Sequence, residues 1–170
     1  MGVQYLSCPI GILRLTAQKG KLCGISLTDA VGEDMSDAAT SAGAKQLREY
    51  FDGKREEFTL ETAPRGTAFQ LAVWKALAEI PFGRVVTYGE LAKRIGRPTA
   101  CRAVANAVGS NPLLIAFPCH RVVASNGLGG FSAGISAKRT LLRLEGVKIS
   151  EKSAFSEKFF FTFDTNRDTI

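Results

Sequence analysis

The sequence predicts an α+β fold in parts: a small β-sheet and helix unit over 1–62, a mainly helical unit over 67–148, and a tail over 149–170. Two patterns carry this prediction. Apolar and polar residues alternate between residues 3 and 28, whereas from Thr67 onward apolar residues recur at helical spacing behind capping signals. With 170 residues and 45% hydrophobic content, the chain has enough apolar material for real cores.

In the first part, Leu13, Leu15 and Ala17 alternate with Arg14, Thr16 and Gln18. Lys19-Gly20-Lys21 marks a turn, and Cys23, Ile25 and Leu27 then alternate in the same way, giving a hairpin or three-stranded unit. Residues 29–43 are small, acidic and aperiodic, the pattern of a loop. Ala44, Leu47 and Tyr50-Phe51 predict a helix ending at Gly53, followed by a short strand at Phe58–Leu60 and a linker from Glu61 to Gly66.

The second part opens on Thr67-Ala-Phe-Gln70, where the threonine oxygen and the glutamine side chain can satisfy free helix amides. Phe69, Val73, Trp74, Leu77 and Ile80 form an apolar stripe that Pro81 ends. Thr87-Tyr-Gly-Glu90 repeats the cap for a short helix stopping at Gly96, and a third helix is expected from Thr99 to about Val108. Two short helices joined by a glycine-containing turn outline a helix-turn-helix. On the third helix, Cys101, Val104, Ala105 and Val108 predict the buried stripe, with Arg102, Asn106, Gly109 and Ser110 on another side. Ser125-Asn-Gly-Leu-Gly-Gly130 predicts an irregular, mobile wall, and a last helix runs from Ser136 to Glu145. The tail carries Phe155, Phe159, Phe160, Phe161 and Phe163, suited to packing on its own domain or a neighbour.

Charge is uneven. From Arg84 to Arg143 nine basic residues face one acid, Glu90, a local +8; the remainder has thirteen basic and fifteen acidic residues. A polyanion is the natural partner of that segment. The outward side of the third helix offers one long basic residue among small ones. Such a face suits close approach to a groove, with phosphates supplying most of the affinity and little base readout. Four scattered cysteines without a Cys-x-x-Cys pair fit a reducing compartment. No apolar run or leader pattern marks a membrane span or a signal peptide, so a cytoplasmic protein is expected.

Cys119 stands beside His120, the only histidine in the chain. A useful cysteine nucleophile needs a neighbour that favours the thiolate, and His120 and Arg121 are the candidates by position. Adjacent side chains on a strand point to opposite faces, so contact requires a turn or a bridging water. Pro118 supplies a local break.

Pro118-Cys-His-Arg-Val-Val123 resembles the active-site motif of the DNA repair methyltransferases that act on O6-alkylguanine. The order of other elements is also similar: Phe69, Val73 and Trp74; Pro81-Phe-Gly83; Thr87-Tyr88; Arg102-Ala-Val104; Asn111-Pro112; and Leu141-Leu142 with Glu145. The resemblance covers about Thr67 to Gly146 well and the N-terminal part loosely. It implies a ribonuclease H-like N-terminal domain and a winged helix-turn-helix domain that carries the acceptor cysteine.

Residue roles follow from the same resemblance. Cys119 would accept the alkyl group; His120 would act on it through a water, oriented by Glu145; Asn111 would tie the recognition helix to the active-site turn. Tyr88 would donate to the guanine ring, and Arg102 would fill the gap left by the extruded nucleotide. Ser132 and the backbone of Val122 would hold the base, with Lys138 and Phe131 nearby and Thr99, Ala103 and Asn106 toward the DNA. The implied partner is double-stranded DNA containing O6-alkylguanine, with O4-methylthymine as a second lesion, acted on by a monomer without metal or cofactor. Each molecule would react once, because a thioether has no route of release.

Two departures stand out. Phe131 occupies a position where many members have tyrosine, and the histidines of the members with an N-terminal zinc site are absent. The alternatives are a non-catalytic lesion binder, a winged-helix regulator with an incidental thiol, and a cysteine hydrolase built on Cys119, His120 and Glu145. Retention of Cys119 argues against the first, and the lack of a clear oxyanion-hole loop against the last.

Overall fold

The computed structural model describes residues 1–149 and 155–163; the rest of the tail, at 150–154 and 164–170, lies outside them. The fold is α+β. Two compact units divide the chain: Met1–Arg65 with Pro112–Ala116, and Gly66–Asn111 with the chain from Phe117 on.

The first unit is an antiparallel sheet of β1 (Gly2–Cys8), β2 (Gly11–Gln18) and β3 (Lys21–Thr28), in that order, with helix α1 (Ala38–Phe51) against it. Leu13, Leu15 and Ala17 are fully buried. The expected alternation of β3 fails at one point. Leu15 pairs with Ile25 and Thr16 with Gly24, but Ala17 pairs with Leu22, so Cys23 is an extra residue. This bulge turns Cys23 out of the strand's alternation and brings Leu22 into the core beside Ile25. Gly24 is the sequence mark of the irregularity, since an interior strand glycine often signals one.

Two other expectations are corrected here. The loop over 29–43 contains the start of α1, capped reciprocally by Asp37 and Thr40. Small residues hid it: a Cβ on Gly43 would come within 2.9 Å of Leu15 and Leu22, so the first half of the helix has no room for large apolar side chains, which begin only at Leu47. No strand forms at Phe58–Leu60. Leu22 instead bonds the backbone of Glu61 and Ala63 at 2.9 and 2.8 Å.

Pro112–Ala116 adds to the other end of the same strand, with Ile25 N–H donating to Pro112 O at 2.8 Å and Leu114 N–H to Ile25 O at 3.0 Å. Ile115 ends this contact at φ +73°, a left-handed conformation that a β-branched residue rarely adopts.

The second unit contains α2 (Ala68–Leu77), β4 (Val86–Thr87), α3 (Tyr88–Arg94), α4 (Cys101–Gly109), β5 (Val122–Val123) and α5 (Ile135–Leu144). Thr67 and Gln70 form the reciprocal cap of α2, and Thr87 accepts from Glu90 N–H at the start of α3. Strands β4 and β5 pair in parallel, Val86 with Val122 and Thr87 with Val123. Trp74 reaches across to α4, its indole N–H donating to Ala107 O at 2.8 Å.

Helix α4 starts two residues later than expected, without a side-chain cap. Its buried face is Val104, Ala107 and Val108, while Cys101 is exposed rather than in the stripe.

Candidate active site

Pro118 begins a tight turn that carries the adjacent Cys119 and His120. Cys119–Arg121 form one 3-10 turn, with Arg121 N–H donating to Pro118 O at 3.0 Å, and strand β5 follows at once. Strand alternation therefore does not separate the thiol from the imidazole. Asn111, just past α4, donates through Nδ2 to Phe117 O at 2.7 Å and hydrogen-bonds Cys119. It ties the helix end to the turn.

Behind the turn lies a buried charged group. His120 Nε2 is 2.7 Å from Glu145 Oε1. Arg121 donates to both carboxylate oxygens, Nε to Oε2 at 2.9 Å and Nη2 to Oε1 at 2.8 Å, and its Nη1 donates to Ile80 O at 2.6 Å. Gly83 N–H donates to Oε2 at 3.0 Å. These donors, with the neighbouring charges, outweigh burial and hold the Glu145 carboxyl well below the ordinary range.

Burial lowers the His120 pKa, against an opposing pull from Glu145, so the ring is neutral at pH 7. An ionised carboxylate can only accept, which places the ring proton on Nε2 and leaves a lone pair on Nδ1. Nδ1 is buried and has no hydrogen-bond partner among the described residues.

Cys119 is 2% exposed, and burial pushes its thiol up to about 11 despite Asn111, Lys138 and nearby amides. This corrects the expectation of a thiolate created by its surroundings: the resting group is a thiol. It also relocates the cation. Arg121 is committed to Glu145, and the positive charge that lowers the Cys119 pKa belongs to Lys138.

Lys138 is fully buried, its ammonium donating to the carbonyls of Val122 at 2.6 Å, Leu128 at 2.5 Å and Gly130 at 3.0 Å. Burial brings its pKa down to about 8. The glycine-rich segment expected to be a mobile wall is thus tied down at two carbonyls, and Leu128 is buried. Past it, Gly130, Phe131 and Ser132 join Tyr88, Cys119 and the α4 residues Ala105, Asn106, Val108 and Gly109 around a cavity of about 300 Å³.

The structure therefore gathers Cys119, Tyr88, Phe131, Ser132 and Asn106 around one space, with His120, Asn111 and Glu145 supporting it. Phe131 packs edge-on to His120, ring centroids 6.5 Å apart. Tyr88 is half-buried, and its hydroxyl lies 3.5 Å from Gly130 O. Arg102 and Ala103 are exposed on α4, and Thr99 is exposed in the turn before it. Lys138 and Val122 are not on the cavity wall. The Lys138 ammonium is bonded to three carbonyls, that of Val122 among them.

Sequence reasoning missed Arg121 and Gly83 as the other holders of Glu145. The adjacency of Arg121 to His120 was the available signal. Among the described residues no group of three or more His, Cys, Asp or Glu could hold a metal ion, and no helix is long and apolar enough to cross a membrane.

Comparisons with known proteins agree with this geometry. Residues 68–147 match the family profile described as 6-O-methylguanine DNA methyltransferase, DNA binding domain, and residues 1–64 match its ribonuclease-like domain. A methylated-DNA–protein-cysteine methyltransferase of Methanosarcina acetivorans is 51% identical over 61% of this chain, a stretch that spans 67% of that relative. The Mycolicibacterium paratuberculosis protein of the same name is 43% identical over 81% of this chain and 87% of its own. The crystal structure of Mycobacterium tuberculosis OGT in complex with DNA has a TM-score of 0.78 and 42% identity, covering 85% of this chain and 92% of that one.

Fold and comparisons together define a DNA-binding methyltransferase of DNA repair. The chain belongs to the 6-O-methylguanine DNA methyltransferase family.

Proposed function

We propose that this protein transfers the alkyl group from O6 of guanine in duplex DNA to Cys119, irreversibly and once per molecule, with O4-methylthymine as a second substrate. The observation that carries this reading is a thiol on the wall of a ligand-sized cavity, beside a histidine held neutral with one nitrogen free to accept. Protein and DNA suffice, as a monomer without a cofactor.

An O6-alkyl group lies inside the base stack and Cys119 is buried, so the nucleotide must swing out, at a cost of a few kcal/mol. Helices α3 and α4 serve as the helix-turn-helix of a winged domain. Arg102 enters the gap in the duplex, while Thr99, Ala103 and Asn106 lie along the DNA. Arg94, Arg121 and Lys138 are occupied inside the protein, so the field felt by phosphates comes from Arg84, Lys93, Arg97, Arg102, Arg139 and Arg143.

In the reaction, His120 Nδ1 takes the Cys119 proton through a bridging water, and Glu145 stabilises the imidazolium. Sulfur then bonds the alkyl carbon as the C–O6 bond breaks, its electron pair passing into the guanine ring. The Tyr88 hydroxyl donates toward that ring. The thiol proton ends on guanine, which leaves neutral, and the thioether stays.

Cys119→Ala tests the assignment. Transfer should be lost while affinity for methylated duplex stays within about twofold, because phosphates supply most of that affinity. Removal of methyl groups by the alanine variant would mean that another residue is the acceptor.

A further inference from the structure

The family match ends at residue 147, yet the chain beyond it is bound into the second unit. Phe160 forms a parallel bridge with Val85, as Val85 N–H donates to Phe159 O at 2.7 Å and Phe161 N–H donates to Val85 O at 2.9 Å. The segment therefore makes one bridge, at the residue before β4, directly after a 3-10 turn at Glu157–Phe159, and the Arg84 guanidinium holds the carbonyl of Lys158. Phe155, Phe159 and Phe160 pack against a buried cluster of Val85, Val123, Leu128, Leu142 and Val147.

Two members of that cluster lead to the site. Val123 follows the backbone whose Val122 carbonyl receives Lys138, and Leu128 offers its own carbonyl to the same ammonium. Lys138 also holds Gly130, which lines the cavity with Phe131 and Ser132.

We infer that the segment Phe155–Phe163 is a docked strap whose phenyl rings, Phe160 above all, position the Leu128–Ser132 wall of the alkyl-acceptor cavity. These are positioning residues, since none touches the reacting atoms. The inference rests on the proposed transfer to Cys119 only for its rate readout. Phe161 provides an internal comparison: it borders Phe163, with ring centroids 5.2 Å apart, and is not packed on the cluster.

The experiment compares Phe160→Ala, Phe160→Leu and Phe161→Ala in the full chain. Single-turnover transfer from methylated duplex at saturation, affinity for undamaged duplex, and backbone hydrogen exchange are measured for each. Phe160→Ala should slow transfer of the order of tenfold, inside the hundredfold that a misplacement of about 1 Å costs. It should leave DNA affinity within about twofold, because exposed cations dominate that term. Exchange should rise at 128–132 while α2 stays protected. Phe160→Leu should recover most of the rate, and Phe161→Ala should resemble the parent.

If Phe160→Ala fails to fold, Phe160→Leu decides through a smaller but localised rise in exchange at 128–132. Unchanged exchange there in a folded Phe160 variant overturns the inference, as does a rise spread evenly over the unit. Failure of the parent protein to modify Cys119 counts against the proposed function alone, because the exchange comparison does not require chemistry.

Discussion

Glu145 Oε1 receives His120 Nε2 at 2.7 Å and Arg121 Nη2 at 2.8 Å, so one buried carboxylate fixes the tautomer of the neutral imidazole and pairs a permanent cation. Glu145→Gln keeps the volume and removes the charge. Arg121 would then be left buried without its counter-ion, costing about 3 kcal/mol, and the imidazolium would lose its partner, slowing transfer by of the order of a hundredfold. Urea unfolding and rapid-quench transfer assays read the two effects. Full-rate transfer by the glutamine variant would remove Glu145 from the mechanism.

The same group sets the acid side of the stability profile. Both Glu145 and His120 have pKa values lowered by folding, so each contributes stability present above its unfolded value and lost as pH falls. Loss should begin below about pH 6.5, where the unfolded histidine takes a proton, and steepen below about pH 4.3, where the unfolded glutamate does. His120 is the only histidine, so the first step has one source. Thermal midpoints from pH 8 to about pH 3.5 test this, and a flat profile between about pH 6.5 and pH 5 would contradict a buried neutral ring.

Not all basic residues of the Arg84–Arg143 segment should matter to DNA. Arg102 is exposed, whereas Arg94 donates to Glu79 with both Nε and Nη2 and its side chain is 8% exposed. Arg102→Ala should lower duplex affinity and reduce the salt slope by about one. Arg94→Ala should leave that slope unchanged and cost about 2 kcal/mol of stability. Salt titrations of both variants would expose the reverse pattern, if it holds.

Lys138→Met tests whether the ammonium holds the site together. Carbonyls of Val122 and Leu128 would lose a buried donor, and stability should fall by about 3 kcal/mol. Hydrogen exchange should rise around Leu128–Gly130. Lys138→Arg should not rescue, since a planar guanidinium cannot direct its donors to carbonyls that surround a compact ammonium. A methionine variant as stable as the parent would assign these contacts no role.

What could be read in advance depended on how local each cause is. The caps at Thr67 and Thr87 and the apolar stripe of α2 act over four to ten residues, and they were legible. So was the Cys119–His120 pair, because a single histidine beside a thiol narrows the chemistry at once. The start of α1 was hidden by small residues chosen for close approach to the sheet, and the bulge at Cys23 by a parity change that only strand pairing reveals. The partners of Arg121 and Lys138 were not legible, because a long side chain's destination is set by tertiary packing. For the same reason the state of Cys119 is not legible in the sequence: nearby cations are visible in the chain, but the burial that outweighs them is not.

The most direct test is the mass of the protein after incubation with excess duplex carrying O6-methylguanine, followed by peptide mapping. The account predicts that one methylene is gained per molecule, on the peptide containing Cys119, and that the reaction stops at one equivalent. No gain, a gain on Cys101, or continued turnover past one equivalent would contradict it.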